Sequence, residues 1–281
     1  MKAYEIITER ILQKLAEGVI PWRKPWAGAN GMPKNTISRK EYRGVNVFLL
    51  HMQGYASLYW LTFRQARQLG GSVKEGAKGS PVIFWNWRTV KGKEGEDEEK
   101  QIPLLRYYTV FNVEQCEDLK LDIESPAVNP DFNPIAEAEK IVHGMLHRPE
   151  VTHHEAQAYY SPARDTVNMP KPNLFKEEAG YYSTLFHELV HSTGHGSRLN
   201  REAEQKNHAF GSRDYSKEEL IAEMGASFLC GAAGIENATL DNSAAYIAGW
   251  LKKLQDDKQM VIFAAAKAQR AADYILNRQG E

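Results

Sequence analysis

Apolar positions along the chain follow two periods, and the alternation between them outlines the elements. Residues 3–17 carry Glu5, Glu9, Arg10 and Lys14 between apolar positions, which predicts an amphipathic helix. A second helix is expected within 42–55. A third is expected from Thr62, a residue able to cap it, to a stop at Gly70-Gly71. Residues 80–90 alternate and are rich in β-formers, so they read as a strand, with 104–116 as the returning strand. Residues 91–100 are polar and acidic and read as a hairpin tip, while 120–134, rich in Pro, Asp and Asn, read as a linker. Helix 134–148, strands around Ser161-Pro162, a helix over 177–194, another over 218–234 and a last helical stretch from 243 to about 275 complete the chain. The predicted class is α+β: a small N-terminal α/β domain (1–120), a linker (121–134) and a C-terminal domain (135–281).

Charge divides the chain more sharply than its net of −1 suggests. Residues 1–90 hold 14 Lys and Arg against 5 Asp and Glu (+9), and 91–281 hold 21 against 31 (−10). The first segment also holds five of the six tryptophans: Trp22, Trp26, Trp60, Trp85 and Trp87. Cations can track a nucleic-acid backbone while aromatic faces stack on unpaired bases, so this composition points to single-stranded DNA. The Pro/Gly-rich stretch with Trp22, Arg23, Lys24 and Trp26 reads as exposed enough to bind, and Arg43, Lys74 and Lys78 are further candidate contacts. The competing reading is a small domain whose tryptophans are core and whose lysines solubilise it. Two cysteines, Cys116 and Cys230, without C-x-x-C spacing argue for a reducing compartment. No apolar run approaches a membrane span, so a cytoplasmic location and no membrane partner are expected.

The chemistry lies in the C-terminal half. His187 and His191 stand four apart on one helical face, a spacing that lets both imidazoles reach one zinc ion. Glu188 follows the first His and is placed to act as general base toward a metal-bound water. The next His, His195, falls short of the third-ligand position of the longer His-rich motif, which holds Ser197, so His195 is expected to support the ligands or line the cleft, with a role as alternative ligand left open. Glu219 and Glu223 share a face of the following helix. Glu219 is expected as third ligand, with Glu223 orienting a ligating imidazole or serving as an alternative ligand. The roles could be reversed, or Glu219 could only cap its helix behind Ser216. Tyr181, Tyr182 or His195 could donate to an oxyanion. His153 and His154, adjacent on an expected strand, would point to opposite faces.

Longer strings carry a resemblance: "PWRKPW", "YRGVNVFLL", "YWLTFRQARQLGGSVKEGAKGSPVIFW" and "YYTVFNVEQ" in front, and "YYSPARDTVNMP", "YYSTLFHELVHSTGHGSRLNR" and "EELIAEMGASFLC" behind. On these the chain resembles the ArdC-type antirestriction proteins, relatives of the N-terminal part of plasmid conjugative primases. The resemblance implies an N-terminal single-stranded-DNA-binding domain and a C-terminal zincin-like metallopeptidase domain. It implies protection of incoming plasmid DNA from restriction during conjugation, with a host restriction complex or a protein substrate as a further partner. The alternative is a DNA-binding protein with a structural or vestigial zinc site and no turnover. A primase accessory is a third reading, which no nucleotidyl-transfer carboxylate set supports.

Overall fold

Helices form where the sequence repeats at three and four, and strands where it alternates. The computed structural model describes residues 3–22, 31–90, 100–121, 133–201, 213–235 and 244–278. In the N-terminal half these are α1 (Ala3–Ala16), β1 (Lys34–Asn35), α2 (Val45–His51), β2 (Tyr59–Leu61), α3 (Phe63–Gln68), β3 (Ser72–Val73), β4 (Ser80–Val90), β5 (Lys100–Asn112) and β6 (Cys116–Glu117). Thr62 caps α3 as expected: its side chain accepts from the Gln65 N–H, and the Gln65 side chain reaches back to the Thr62 N–H. Strands run in the order β1-β2-β5-β4, with β4 and β5 as a long antiparallel hairpin. The expected acidic tip and most of the expected linker lie outside the described residues.

The C-terminal half contains α4 (Pro134–Gly144), β7 (Glu150–Thr152), β8 (Tyr159–Ser161), β9 (Thr166–Asn168), α5 (Glu178–Ser192), α6 (Arg213–Ala233), α7 (Ala244–Asp256) and α8 (Met260–Ile275). The three short strands order as β7-β9-β8, which leaves β8 on an edge. His153 and His154 follow β7 rather than lying on it, and the His153 ring stacks on Tyr181. α6 begins at Arg213, so Ser216 is buried inside the helix and is not its N-cap.

The two halves share one core. Ile7, Ile11 and Leu15 of α1 and Phe48 of α2 belong to the same buried cluster as Phe186 and Leu189 of α5, Phe228 of α6 and Ala265 of α8. Phe48 stacks on Phe228 with centroids 4.9 Å apart. The fully buried Trp22 continues this contact, edge-on to Trp250 of α7 at 6.0 Å. Its burial corrects the expectation that Trp22 stands exposed to stack on bases. Burial of the indole in the shared core outweighs the polar residues that neighbour it in sequence. Among the described residues, no helix is long and apolar enough to cross a membrane.

Candidate metal centre

α5 buries Leu185, Phe186, Leu189 and Val190 and turns His187 and His191 toward α6. The helices approach closely because Gly225 faces Val190. A Cβ there would sit 2.7 Å and 2.8 Å from the two Val190 methyls, too close to be accommodated without a shift. That close crossing brings Glu219 to the histidines. The Nε2 atoms of His187 and His191 are 3.1 Å apart, and each lies 3.6 Å from a Glu219 carboxylate oxygen. One ligand atom from each of the three residues falls within a 4.8 Å group. A tetrahedral ion with ligands at 2.0–2.1 Å spaces them by about 3.3–3.4 Å, so the set fits a divalent ion with little adjustment. The donors, two imidazoles and a carboxylate, leave a fourth position open, as catalytic zinc sites do.

The partner that orients His191 is Glu218, not Glu223. Glu218 Oε1 lies 3.6 Å from His191 Nδ1 and accepts from Arg201 at 2.7 Å. Arg201 is itself buried and donates to Thr193 Oγ1 (2.6 Å) and to the Val190 carbonyl (2.9 Å). Burial pushes the Glu218 carboxyl up, but its hydrogen bonds to His191 and Arg201 outweigh this and bring it down to about 2. Burial likewise pulls the metal-free His191 imidazolium down, while Glu218, Glu188 and Glu219 together push it up to about 9. Glu219 is lowered too, its desolvation overcome by His187 and His191.

Glu223, one turn further along α6, faces the core instead. It accepts from Trp22 Nε1 at 2.8 Å and from the Tyr246 hydroxyl. Burial raises its pKa to about 7, because neutral donors offset desolvation less than cations do. Its expected role as partner of a ligating histidine or as an alternative metal ligand is thus corrected: its carboxylate accepts from the indole and the phenol instead.

A cleft of about 660 Å³ opens above His187, His191 and Glu219, lined also by Ala158, Tyr159, Tyr160, Pro162, Glu188, Tyr215 and Glu218. Glu188 is nearly buried in its wall. The edge strand β8 forms one side, where an extended peptide could add by main-chain pairing. Tyr215 had no signal in the sequence. It hydrogen-bonds Glu219, and burial followed by the Glu219 and Glu188 charges raises its pKa to about 12. Tyr181 instead bonds His153 (3.1 Å), Tyr182 donates to Glu139 (2.8 Å), and His195 Nδ1 pairs with Ser197 Oγ at 2.8 Å. None of these three lines the cleft.

The other candidate contacts scatter. Arg43 pairs with Asp273 of α8, so it ties the two halves together. Lys74 donates to the Glu114 carbonyl at 2.9 Å, and Lys78 is exposed. Arg23, Lys24 and Trp26 lie outside the described residues.

Known proteins reproduce both halves in this order. Residues 1–111 match the N-terminal domain of anti-restriction factor ArdC, and residues 136–268 match a zincin-like metallopeptidase family. The metal-free crystal structure of the antirestriction protein ArdC from plasmid R388 superposes with a TM-score of 0.76 at 37% identity, covering 100% of both chains. This chain belongs to the ArdC antirestriction family. The Mn(II)-bound structure of the R388 protein gives a TM-score of 0.75 at 36% identity, covering 99% of this chain and 98% of that one. The uncharacterized protein y4eC of Sinorhizobium fredii is 33% identical, covering 99% of this chain and 92% of that relative. DNA primase TraC of Escherichia coli is 34% identical over 97% of this chain, which spans only 20% of that primase.

Proposed function

We propose that this ArdC-family chain binds single-stranded DNA through its basic N-terminal half and cleaves peptide bonds in the α5–α6 cleft. In a cell these activities would protect incoming plasmid DNA from the recipient's restriction enzymes during conjugation, with a host restriction component as protein substrate. The observation that carries the peptidase reading is the convergence of His187, His191 and Glu219 within 4.8 Å, beneath a cleft whose wall contains Glu188. A purely structural site has no use for a carboxylate there.

His187, His191 and Glu219 would hold the ion, with zinc as the expected metal. A divalent ion in that place acidifies a water and polarises a carbonyl. Glu188 would take the attacking water's proton and return it to the leaving amine. Glu218, 3.6 Å from His191 Nδ1, would fix that ring with Nε2 turned to the ion. Tyr215, from the cleft wall, is the candidate donor to the developing oxyanion.

The deciding experiment transfers an unmodified plasmid into a restricting host carrying the wild type or Glu188→Gln, with metal content measured on both purified proteins. Loss of protection with metal retained is the expected result. Full protection by a metal-loaded Glu188→Gln protein would reject the peptidase as the protective activity.

A further inference from the structure

The aromatic residues of the N-terminal half divide into buried and surface sets, and one surface group is already matched with cations. At the β1 edge of the sheet, Tyr59 has Lys34 Nζ 5.4 Å and Arg39 Cζ 4.9 Å from its ring centroid. At the first position of the next element, α3, Phe63 is 47% exposed and has Arg67 Cζ 5.0 Å from its centroid. β2 runs straight into α3 through the Thr62 cap, so both rings belong to one short segment. The loop that carries Arg39 is bound to the same helix. Asn35 and Gln65 exchange amide hydrogen bonds at 3.2 and 3.3 Å, and Asn35 Oδ1 accepts from the backbone of Ile37 and Ser38. This turn sets Arg39 at φ 60°, the left-handed region, and aims it over Tyr59.

The charge of this corner is one-sided. Residues 33–43 hold Lys34, Arg39 and Lys40 against Glu41, with Arg43 turned to Asp273 of α8, and residues 57–70 add Arg64 and Arg67 with no acid. Glu114 approaches from β5's end, where it accepts from the Ser57 N–H at 2.6 Å. A patch of cations alone would suit any polyanion. Cations stationed over aromatic rings at the surface, exposed at Phe63 and half-buried at Tyr59, suit a polyanion with flat faces of its own: bases stack on the open ring or on the guanidinium plane while phosphates draw the charge. A duplex keeps its base faces covered, and an acidic peptide leaves the rings unused.

We propose that this corner, with Tyr59 and Phe63 as stacking rings and Lys34, Arg39 and Arg67 as phosphate contacts, is where the protein seats single-stranded DNA. The site rests on the DNA-binding reading above, and it moves the contact away from Trp22, which is buried. It lies on the sheet edge, so an extended strand can run past it without opening the shared core.

The test is fluorescence anisotropy of the full chain with a labelled oligothymidylate across a salt series. Phe63→Ala is expected to weaken binding about tenfold, within the range for loss of one stacked base. Arg39→Gln with Arg67→Gln should flatten the logarithmic salt slope by about 0.7 for each cation removed. The double change Lys252→Gln with Arg270→Gln removes two exposed charges from α7 and α8 and should leave the slope nearly unchanged. Photocrosslinking of wild type to a thiothymidine oligonucleotide should label Tyr59 or Phe63, and this readout does not depend on any variant folding. No binding by wild type would reject the DNA-binding reading itself. Wild-type binding with unaltered Phe63 and Arg variants, with crosslinks elsewhere, or with equal competition by polyglutamate, would overturn the site and leave that reading standing.

Discussion

Glu219 and Glu223 are one helical turn apart on α6, yet they belong to two electrostatic regions. At the cleft end, Glu218 and Glu219 face His187, His191 and Arg201, and desolvation is overcome by their hydrogen bonds and charge interactions with these groups, so both carboxyls stay below their ordinary range. In the core, Glu223 faces an indole and a phenol, and desolvation wins, lifting it to about 7. Residue type and helix are the same, so the sign of the shift is set by the charge of the partners and not by burial alone. The comparison also separates roles. The cleft end is charged and suited to hold a cation, while the core end joins the N-terminal half to the helix carrying Glu219.

The comparison is broken most directly at the ligands. His191→Ala should abolish stoichiometric zinc or manganese binding, measured by metal analysis after dialysis, whereas Glu223→Gln should leave it intact. Zinc retained in full by His191→Ala would remove the cleft from consideration as a metal centre. Next in size, Glu188→Gln should keep the metal and lower any peptide cleavage by about 10²–10⁴-fold, the usual contribution of a general base. An unchanged rate would show that Glu188 handles no proton.

Glu218→Gln sharpens the contrast within α6. It should weaken metal affinity by about 10–100-fold, as loss of a partner to a ligating imidazole does elsewhere. A competition titration with a chromogenic chelator would read the difference, and equal affinities for Glu218→Gln and wild type would return the orienting role to another residue. Gly225→Ala should act in the same direction by forcing α6 away from Val190.

The smallest effect concerns pH. Glu223 holds its proton more tightly folded than unfolded, so between about pH 4.5 and 7 the folded state binds the extra proton. Stability from this group is therefore present below the unfolded value and is lost as pH rises to about 7. The loss should reach about 1–3 kcal/mol in metal-free protein. Glu223→Gln should remove this part of the pH dependence in denaturant titrations at pH 5 and 7.5. A parallel pH dependence in both proteins would mean that Glu223 binds its proton equally well folded and unfolded.

Much of this architecture is legible in the sequence. The four-residue spacing of His187 and His191 determines that both imidazoles share a face, because helix geometry is local. Thr62 and Gln65 announce the start of α3 for the same reason: a capping box is satisfied within four residues. The alternation of residues 80–90 marks β4, since a strand with two differing faces repeats at two. Glu219 could be nominated as a ligand from the cost of a carboxylate on a helix with a buried face. Which neighbours each acid meets was not local information. Glu218 serves His191 because Arg201 and the α5–α6 crossing place it there, and the crossing depends on Gly225 fitting against Val190, 35 residues away along the chain. Trp22 looked like a surface residue beside Arg23 and Lys24, but tertiary structure buried it against Trp250 and bonded it to Glu223, 201 residues away. Sequence period thus determined the elements and the motif that each one presents. The choice among near-identical carboxylates and tryptophans was decided by packing, because desolvation and charge pairing depend on what folds against a side chain.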